Sequence, residues 1–239
     1  MIIGLDKSFK PIWVYKILRL SKPGNEFDEV KDEFLEIIEY DGKIAKIKAL
    51  TIIKRYYLKL ERKNKKNCFR NNYLHEISLK YSFDSMKPIL LFVLIYTCPI
   101  AQFLQSKINR LFINQKIINK AILDDVTKET YGDRRIIIFA VTYYLTILSY
   151  FDILTKEKRK YTWKNMKLSL PNHILKEILI IYTHLRSNYE IDISSIQDEI
   201  YFSLFNLDNL ENVLMEYNSI DWVYQKRVDS KKIIVKKRS

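Results

Sequence analysis

Four glycines and five prolines are all that punctuate 239 residues, and this scarcity constrains the fold more than any other feature. Glycine enters positive φ without steric cost, and glycine and proline both interrupt regular elements. A chain with so few of them keeps most of its length in helices and strands, and few of its turns can rest on residues that tolerate left-handed backbone. It also lacks the loops that cradle phosphates: no Walker motif and no dinucleotide fingerprint occurs. With 48% hydrophobic residues the chain has enough apolar content for one large core or two smaller ones, and too much for intrinsic disorder.

The apolar spacing is mostly helical. A short strand is expected first, then a helix from Ile12 to Leu20 and a turn at Ser21-Lys22-Pro23-Gly24. Glu26 to Asp41 holds eight acidic residues and one base, Lys31, around a stripe of Phe27, Val30, Phe34, Ile37 and Ile38. After Asp41-Gly42 the sign reverses, and Lys43 to Arg70 carries eleven basic residues against Glu61 alone. Ile44, Ile47, Leu50, Ile53, Tyr57 and Leu60 recur there at three- and four-residue intervals, which predicts a helix with one buried face. Lys43, Lys46, Lys54, Arg55, Lys59, Arg62 and Lys63 then occupy the rest of its circumference.

Further helices are expected over Ser85–Asn109, bent or divided by Pro99, and over Ile117–Thr130, ended by Tyr131-Gly132-Asp133. Asp133 is placed to cap the next helix, whose Ile136, Phe139, Ala140, Tyr143, Tyr144, Ile147 and Leu148 are spaced for burial. YFDILTKEKRKYTW, Tyr150 to Trp163, reads as a hairpin. A helix over His173–Ser187 follows, then two short ones around Ser195–Phe205 and Asp208–Tyr217, then a strand, an Asp229-Ser230 turn and a strand. The expected fold is mainly α, with winged-helix-like units and short β-hairpins. It divides into an N-terminal helical region (1–83), a central helical domain with a winged-helix-like hairpin (84–186) and a small C-terminal winged-helix-like region (187–239).

Catalysis finds little footing. Cys68 and Cys98 form no CxxC, and His75, His173 and His184 have no metal-ligand spacing. Asp124-Asp125 and Asp198-Glu199 are neighbours in sequence, which do not share a helix face. No HExxH or nucleophile elbow occurs. The expectation is a protein with no catalytic residue, no metal and no cofactor. Pro88–Leu104 and Ile136–Phe151 are apolar, but both are shorter than the roughly 20 residues of a membrane span, so they read as buried helices of a cytoplasmic protein with no membrane partner; the alternative is a membrane-associated form, because basic residues including Arg134, Arg135, Lys156 and Lys158 flank both segments. The N-terminus shows no small-residue cleavage site like that of a secretory signal.

The net charge of +13 favours a polyanionic partner without naming it. Long basic side chains on a helix held by an apolar face can reach phosphates; the alternative is a solvated helix paired with its acidic neighbour. Lys156 to Lys167 holds six basic residues and one acid, and helices followed by a basic hairpin suggest a winged helix whose hairpin lies on a phosphate backbone or minor groove, against a simple exposed hairpin. The last hairpin, with Lys226, Arg227, Lys231, Lys232, Lys236, Lys237 and Arg238, is a second wing or an edge guarded by lysines. Ser187 to Gln225 holds eight acidic residues and no Lys or Arg, which repels phosphate and suits a basic protein or the basic half of the same chain.

KALTIIKRYYLKLERK (Lys48–Lys63), ILLFVLIYTCPIAQFL (Ile89–Leu104) and the helix-hairpin stretch Ile117–Trp163, around half of the chain, resemble the BrxA family of BREX phage-defence systems. The resemblance implies a mostly helical protein with winged-helix-like parts that binds DNA without known catalysis. It makes Lys54, Arg55, Lys59 and Arg62 backbone contacts, joined by Lys158, Arg159 and Lys160 of the hairpin. The combined expectation is a non-catalytic double-stranded DNA-binding protein, contacting mainly phosphates and accessory to a defence assembly. Its contacts are drawn from Lys46, Lys54, Arg55, Lys59, Arg62, Lys63, Lys158, Arg159, Lys160, Lys231 and Lys232. The rivals are a protein-protein adaptor without nucleic-acid binding and an RNA-binding protein.

Overall fold

Apolar side chains at helical spacing turn inward along most of the chain. The structure, a computed structural model, describes residues 4–158, 160–227 and 230–236, in two compact units, 1–166 and 167–239. Both are built from helices flanked by short antiparallel hairpins.

In the first unit, α1 (Pro11–Leu20), α2 (Phe27–Ile37) and α3 (Lys43–Tyr57) precede a hairpin of β1 (Leu60–Lys63) and β2 (Lys66–Phe69). Then come α4 (Tyr73–Lys80), α5 (Phe83–Thr97), α6 (Pro99–Phe112), β3 (Ile117–Ile118), α7 (Lys120–Tyr131), α8 (Arg135–Tyr150), β4 (Leu154–Glu157) and β5 (Lys160–Trp163). The second unit contains β6 (Leu168–Ser169), α9 (Asn172–Arg186), β7 (Glu190–Asp192), two 3-10 turns (Ile196–Asp198 and Ile200–Phe202), β8 (Phe205–Asn206), α10 (Leu210–Glu216), β9 (Trp222–Lys226) and β10 (Lys231–Val235).

Local chemistry accounts for many of the boundaries. Pro11 and Pro99 start α1 and α6 at the first turn, where a missing N–H costs nothing. The Asn72 and Asn119 side chains accept the Leu74 and Ala121 N–H groups at 3.1 and 3.0 Å, capping α4 and α7. α5 is buried continuously from Ile89 to Ile95, and the chain turns by 102° between it and α6 at Cys98. Pro99 therefore divides the expected Ser85–Asn109 helix. Among the described residues no single helix is long and apolar enough to cross a membrane.

Four expectations are corrected. Residues 4–10 form no strand; Leu5 and Phe9 are buried there as loop residues. The basic helix stops at Tyr57, because Leu60 to Phe69 folds back on itself as a hairpin that pairs Leu60 with Phe69 and Lys63 with Lys66. Arg134, not Asp133, precedes α8, and no side chain caps it. Ser195–Phe205 is two 3-10 turns and the start of β8 rather than a helix.

The low glycine content does not keep the chain out of left-handed backbone. Asn64, Lys65, Asp152, Lys158, Ser187 and Ser219 all have positive φ, against three glycines among the described residues. Asn64 and Lys65, at φ 49° and 67°, form the two-residue loop of the first hairpin, the conformation that matches strand twist. Asp152, at φ 63°, joins α8 to β4 and accepts from Lys87 and, at 2.7 Å, from Lys164. Burial pushes its carboxyl up, but those two ammonium groups outweigh burial and hold it below the usual aspartate range.

One arrangement recurs. The Gly24 N–H donates to the Phe69 carbonyl, and the Phe69 N–H to that of Asn25, both at 2.9 Å; a β-bridge joins Glu26 to Cys68. The extended segment between α1 and α2 thus flanks β2, leaving β2 between it and β1. The same order of helix, extended segment, two helices and hairpin returns as α6, β3, α7, α8, β4, β5, with strand order β3-β5-β4. It returns again as α9, β7, the 3-10 turns, α10, β9 and β10, with strand order β7-β10-β9. In each case the last strand of the hairpin lies in the middle.

Candidate nucleic-acid interface

The helix before each hairpin is placed by its buried face, so the burial phase decides what it offers to a partner. On α3 the buried residues are Ala49, Leu50, Ile52, Ile53, Tyr56 and Tyr57, packed against α1, α2 and α5. The Tyr57 hydroxyl donates to the Leu90 carbonyl at 3.0 Å, the Asn72 amide donates to the Tyr57 carbonyl at 2.8 Å, and Phe9 meets the Tyr57 ring edge-on. The hairpin is fixed by Phe69, which sits beside Phe27 and Phe34 with ring centroids 6.1 Å away.

Aromatic anchors at the C-terminal end of α3 thus set its phase, which differs from the predicted stripe. Leu50, Ile53 and Tyr57 are buried as expected, but Ile44 and Ile47 are 73% and 39% exposed. The exposed line is Ile44, Ile47, Lys48, Thr51 and Arg55. A competing signal was present in the sequence: Ala49, Ile52, Ile53 and Tyr56 also follow helical spacing.

The proposed contact residues separate into three groups. Lys46 and Lys54 are half-buried: Lys46 donates to the Leu35 carbonyl at 3.0 Å, and the Lys54 ammonium lies 4.1 Å from the Phe27 ring centroid. Both help to hold α3 on α2. Among the described residues no ion pair links these two helices. Arg55, Lys59 and Arg62 are exposed and make no ion pair among the described residues, with Arg55 lying beside the Tyr56 ring. Lys48, Lys65 and Arg70, which the contact set omits, are exposed in the same region, and the Arg70 N–H donates to the Lys59 carbonyl at 3.0 Å. Lys63 pairs with Glu61 at 2.6 Å, and hydrogen bonding to that carboxylate raises its pKa.

In the second hairpin Lys158 and Lys160 are exposed, and Arg159 lies outside the described residues. Its preceding helix offers less charge: α8 is buried along most of its length and exposes Arg135, Ile136 and Phe139 at one end. Lys7 lies 4.4 Å from the Tyr40 ring and 5.9 Å from the Tyr143 ring, so the N-terminal segment approaches this helix.

In the third hairpin three lysines are paired with carboxylates. Lys226 and Lys231 meet Glu211 at 3.2 and 3.1 Å, and Lys232 meets Glu190 at 2.6 Å. Hydrogen bonds from Lys231 and Lys226 hold the Glu211 carboxyl below its ordinary range. The preceding α10 has seven residues and carries Glu211 and Glu216 but no base. The carboxylates of the acidic stretch are therefore used in part on lysines of their own unit. Residues 1–166 contain 31 Lys and Arg against 18 Asp and Glu, and residues 167–239 contain 10 against 10, so the whole +13 belongs to the first unit.

Among the described residues no group of three or more His, Cys, Asp or Glu side chains is placed to hold a metal ion. No family model, curated protein or solved structure matches the chain.

Proposed function

We propose that the chain is a non-catalytic double-stranded DNA-binding protein of winged-helix type, contacting mainly phosphates through its N-terminal repeat. The observation that carries this reading is the run of exposed cations without an ion pair among the described residues from α3 into β1; we read α3 as the recognition helix and the hairpin that follows as the wing. Arg55, Lys59 and Arg62 supply the charge, with Lys48 and Lys65 beside them. Such a surface exchanges condensed counterions for side-chain ammonium and guanidinium groups, so affinity falls steeply with salt and varies little with sequence. Lys158 and Lys160 extend the reading to a second wing.

The resemblance to the BrxA family supports a setting for this activity, an accessory role in a phage-defence assembly. A second reading, a protein-protein adaptor, is favoured by the C-terminal unit, where the hairpin lysines are paired and the cross-strand neighbours Val223 and Ile234 are exposed. Duplex binding followed over a salt titration tests the main proposal. Tight binding at low salt that weakens steeply as salt rises supports it; no duplex affinity at low salt refutes it. Competition with structured RNA and single-stranded DNA separates duplex from RNA binding.

A further inference from the structure

We infer that α3 enters the major groove of duplex DNA and that Ile44 and Ile47 contact thymine methyl groups there. The inference rests on the duplex-binding reading above and adds a base-reading element to it. Ile44 and Ile47 are the large aliphatic side chains that α3 leaves exposed, although the same helix buries Leu50, Ile52 and Ile53 completely or nearly so. They lie in line with Lys48, Thr51 and Arg55, and α3 contains no carboxylate at any position. The Thr51 hydroxyl donates to the Ile47 carbonyl at 2.8 Å, which leaves a methyl rather than a free hydroxyl as its contribution to this face.

An apolar strip on a helix whose only charged side chains are cations matches the major groove, where phosphates line both edges and the thymine C5 methyl is the apolar feature of the floor. The dimensions agree. Seven residues separate Ile44 from Thr51, about 10 Å along a helix and roughly the rise of three base pairs. A protein partner for the same face would have to place carboxylates around an apolar centre, whereas duplex DNA already carries both features in that order.

The equivalent helices do not offer this combination. The exposed end of α8 bears Arg135 with Ile136 and Phe139, but the Arg135 guanidinium is drawn over the Phe139 ring at 5.4 Å, and α10 is acidic.

The test compares the full chain on a duplex of fixed sequence and on the same duplex with every thymine replaced by uracil, which deletes only the C5 methyl. Burying a methyl-sized group changes affinity about fourfold, so two contacts predict roughly fifteenfold weaker binding to the uracil duplex. An Ile44→Ser/Ile47→Ser variant is expected to bind both duplexes alike while keeping the salt slope of the unaltered chain. Equal binding of both duplexes by the unaltered chain overturns the inference, and does so without depending on how the variant folds. If that equal binding is strongly salt-dependent, phosphate-led duplex binding stands without methyl reading. No duplex binding at low salt overturns both. A change of oligomeric state in the serine variant, without thymine discrimination in the unaltered chain, assigns the face to a second copy and likewise overturns the inference.

Discussion

Neutralising Arg55, Lys59 and Arg62 together separates a phosphate-binding surface from a solvated one. The three are exposed and make no ion pair among the described residues, so Arg55→Gln/Lys59→Gln/Arg62→Gln removes three charges without stranding a carboxylate. Each phosphate contact contributes about −0.9 to the slope of log affinity against log salt, and loss of three flattens the slope by about 2.7. If the intercept at 1 M salt is unchanged, affinity at about 0.1 M falls roughly 500-fold. The matched control is Lys231→Gln/Lys232→Gln. It removes two charges that are already paired with Glu211 and Glu190, so its slope changes by less than one contact. Fluorescence anisotropy with a labelled duplex at four or more salt concentrations measures both slopes, and circular dichroism checks that each variant folds. Equal slope changes in the two variants, or an unchanged slope in the triple variant, refute the assignment of DNA binding to the N-terminal repeat.

Three predictions concern the scaffold. Lys65→Gly relieves positive φ in the first hairpin loop and is expected to raise stability by about 0.5–1 kcal/mol in urea unfolding, while the salt slope falls by no more than one contact. Gly4→Ala is expected to destabilise by about 1–3 kcal/mol, because Gly4 has φ +83° and an added Cβ would stand 1.9 Å from the Tyr56 hydroxyl oxygen; Tyr56→Phe in the same chain should recover part of the lost melting temperature. Asp152→Asn keeps a residue type that tolerates left-handed backbone and removes the acid responsible for a pH effect. The Asp152 pKa is depressed in the folded state, so its contribution is present above the unfolded aspartate value and is lost as pH falls through the folded one. The urea midpoint of the unaltered chain should therefore drop more between pH 6 and pH 3 than that of the variant, by an amount limited to that of a partly exposed ion pair, about 1 kcal/mol or less.

Much of the helical scaffold was legible. α2, α8 and α9 follow from apolar residues repeating every three or four positions, and Pro99 marks the break between α5 and α6 because a proline inside a helix removes a donor and clashes with the preceding turn. The hairpin at Leu154–Trp163 was legible because its sequence changes period. The first hairpin was hidden. LERKNKKNCF is rich in lysine and continues a basic run, while its turn rests on Asn64 and Lys65 rather than on glycine. Left-handed backbone at such residues is held by the strands on either side, which composition does not reveal.

The candidate contacts divide along the same line. Sequence alone determined the amount of charge, its blocks and the helix-rich architecture, because these depend on residue type and local spacing. It also placed Arg55, Lys59 and Arg62 among eleven candidate cations without separating them from the rest. Tertiary structure decided which cations remain available: Lys46 is held by the Leu35 carbonyl, Lys54 by the Phe27 ring, and Lys231 and Lys232 by carboxylates. It also turned Ile44 and Ile47 outward. On a helix with two overlapping apolar stripes, periodicity permits more than one buried face, and the choice belongs to the neighbours that pack on it. Here Phe9, Leu90 and Asn72 engage Tyr57, and that anchorage fixes the rotation of α3 and with it the surface left for a partner.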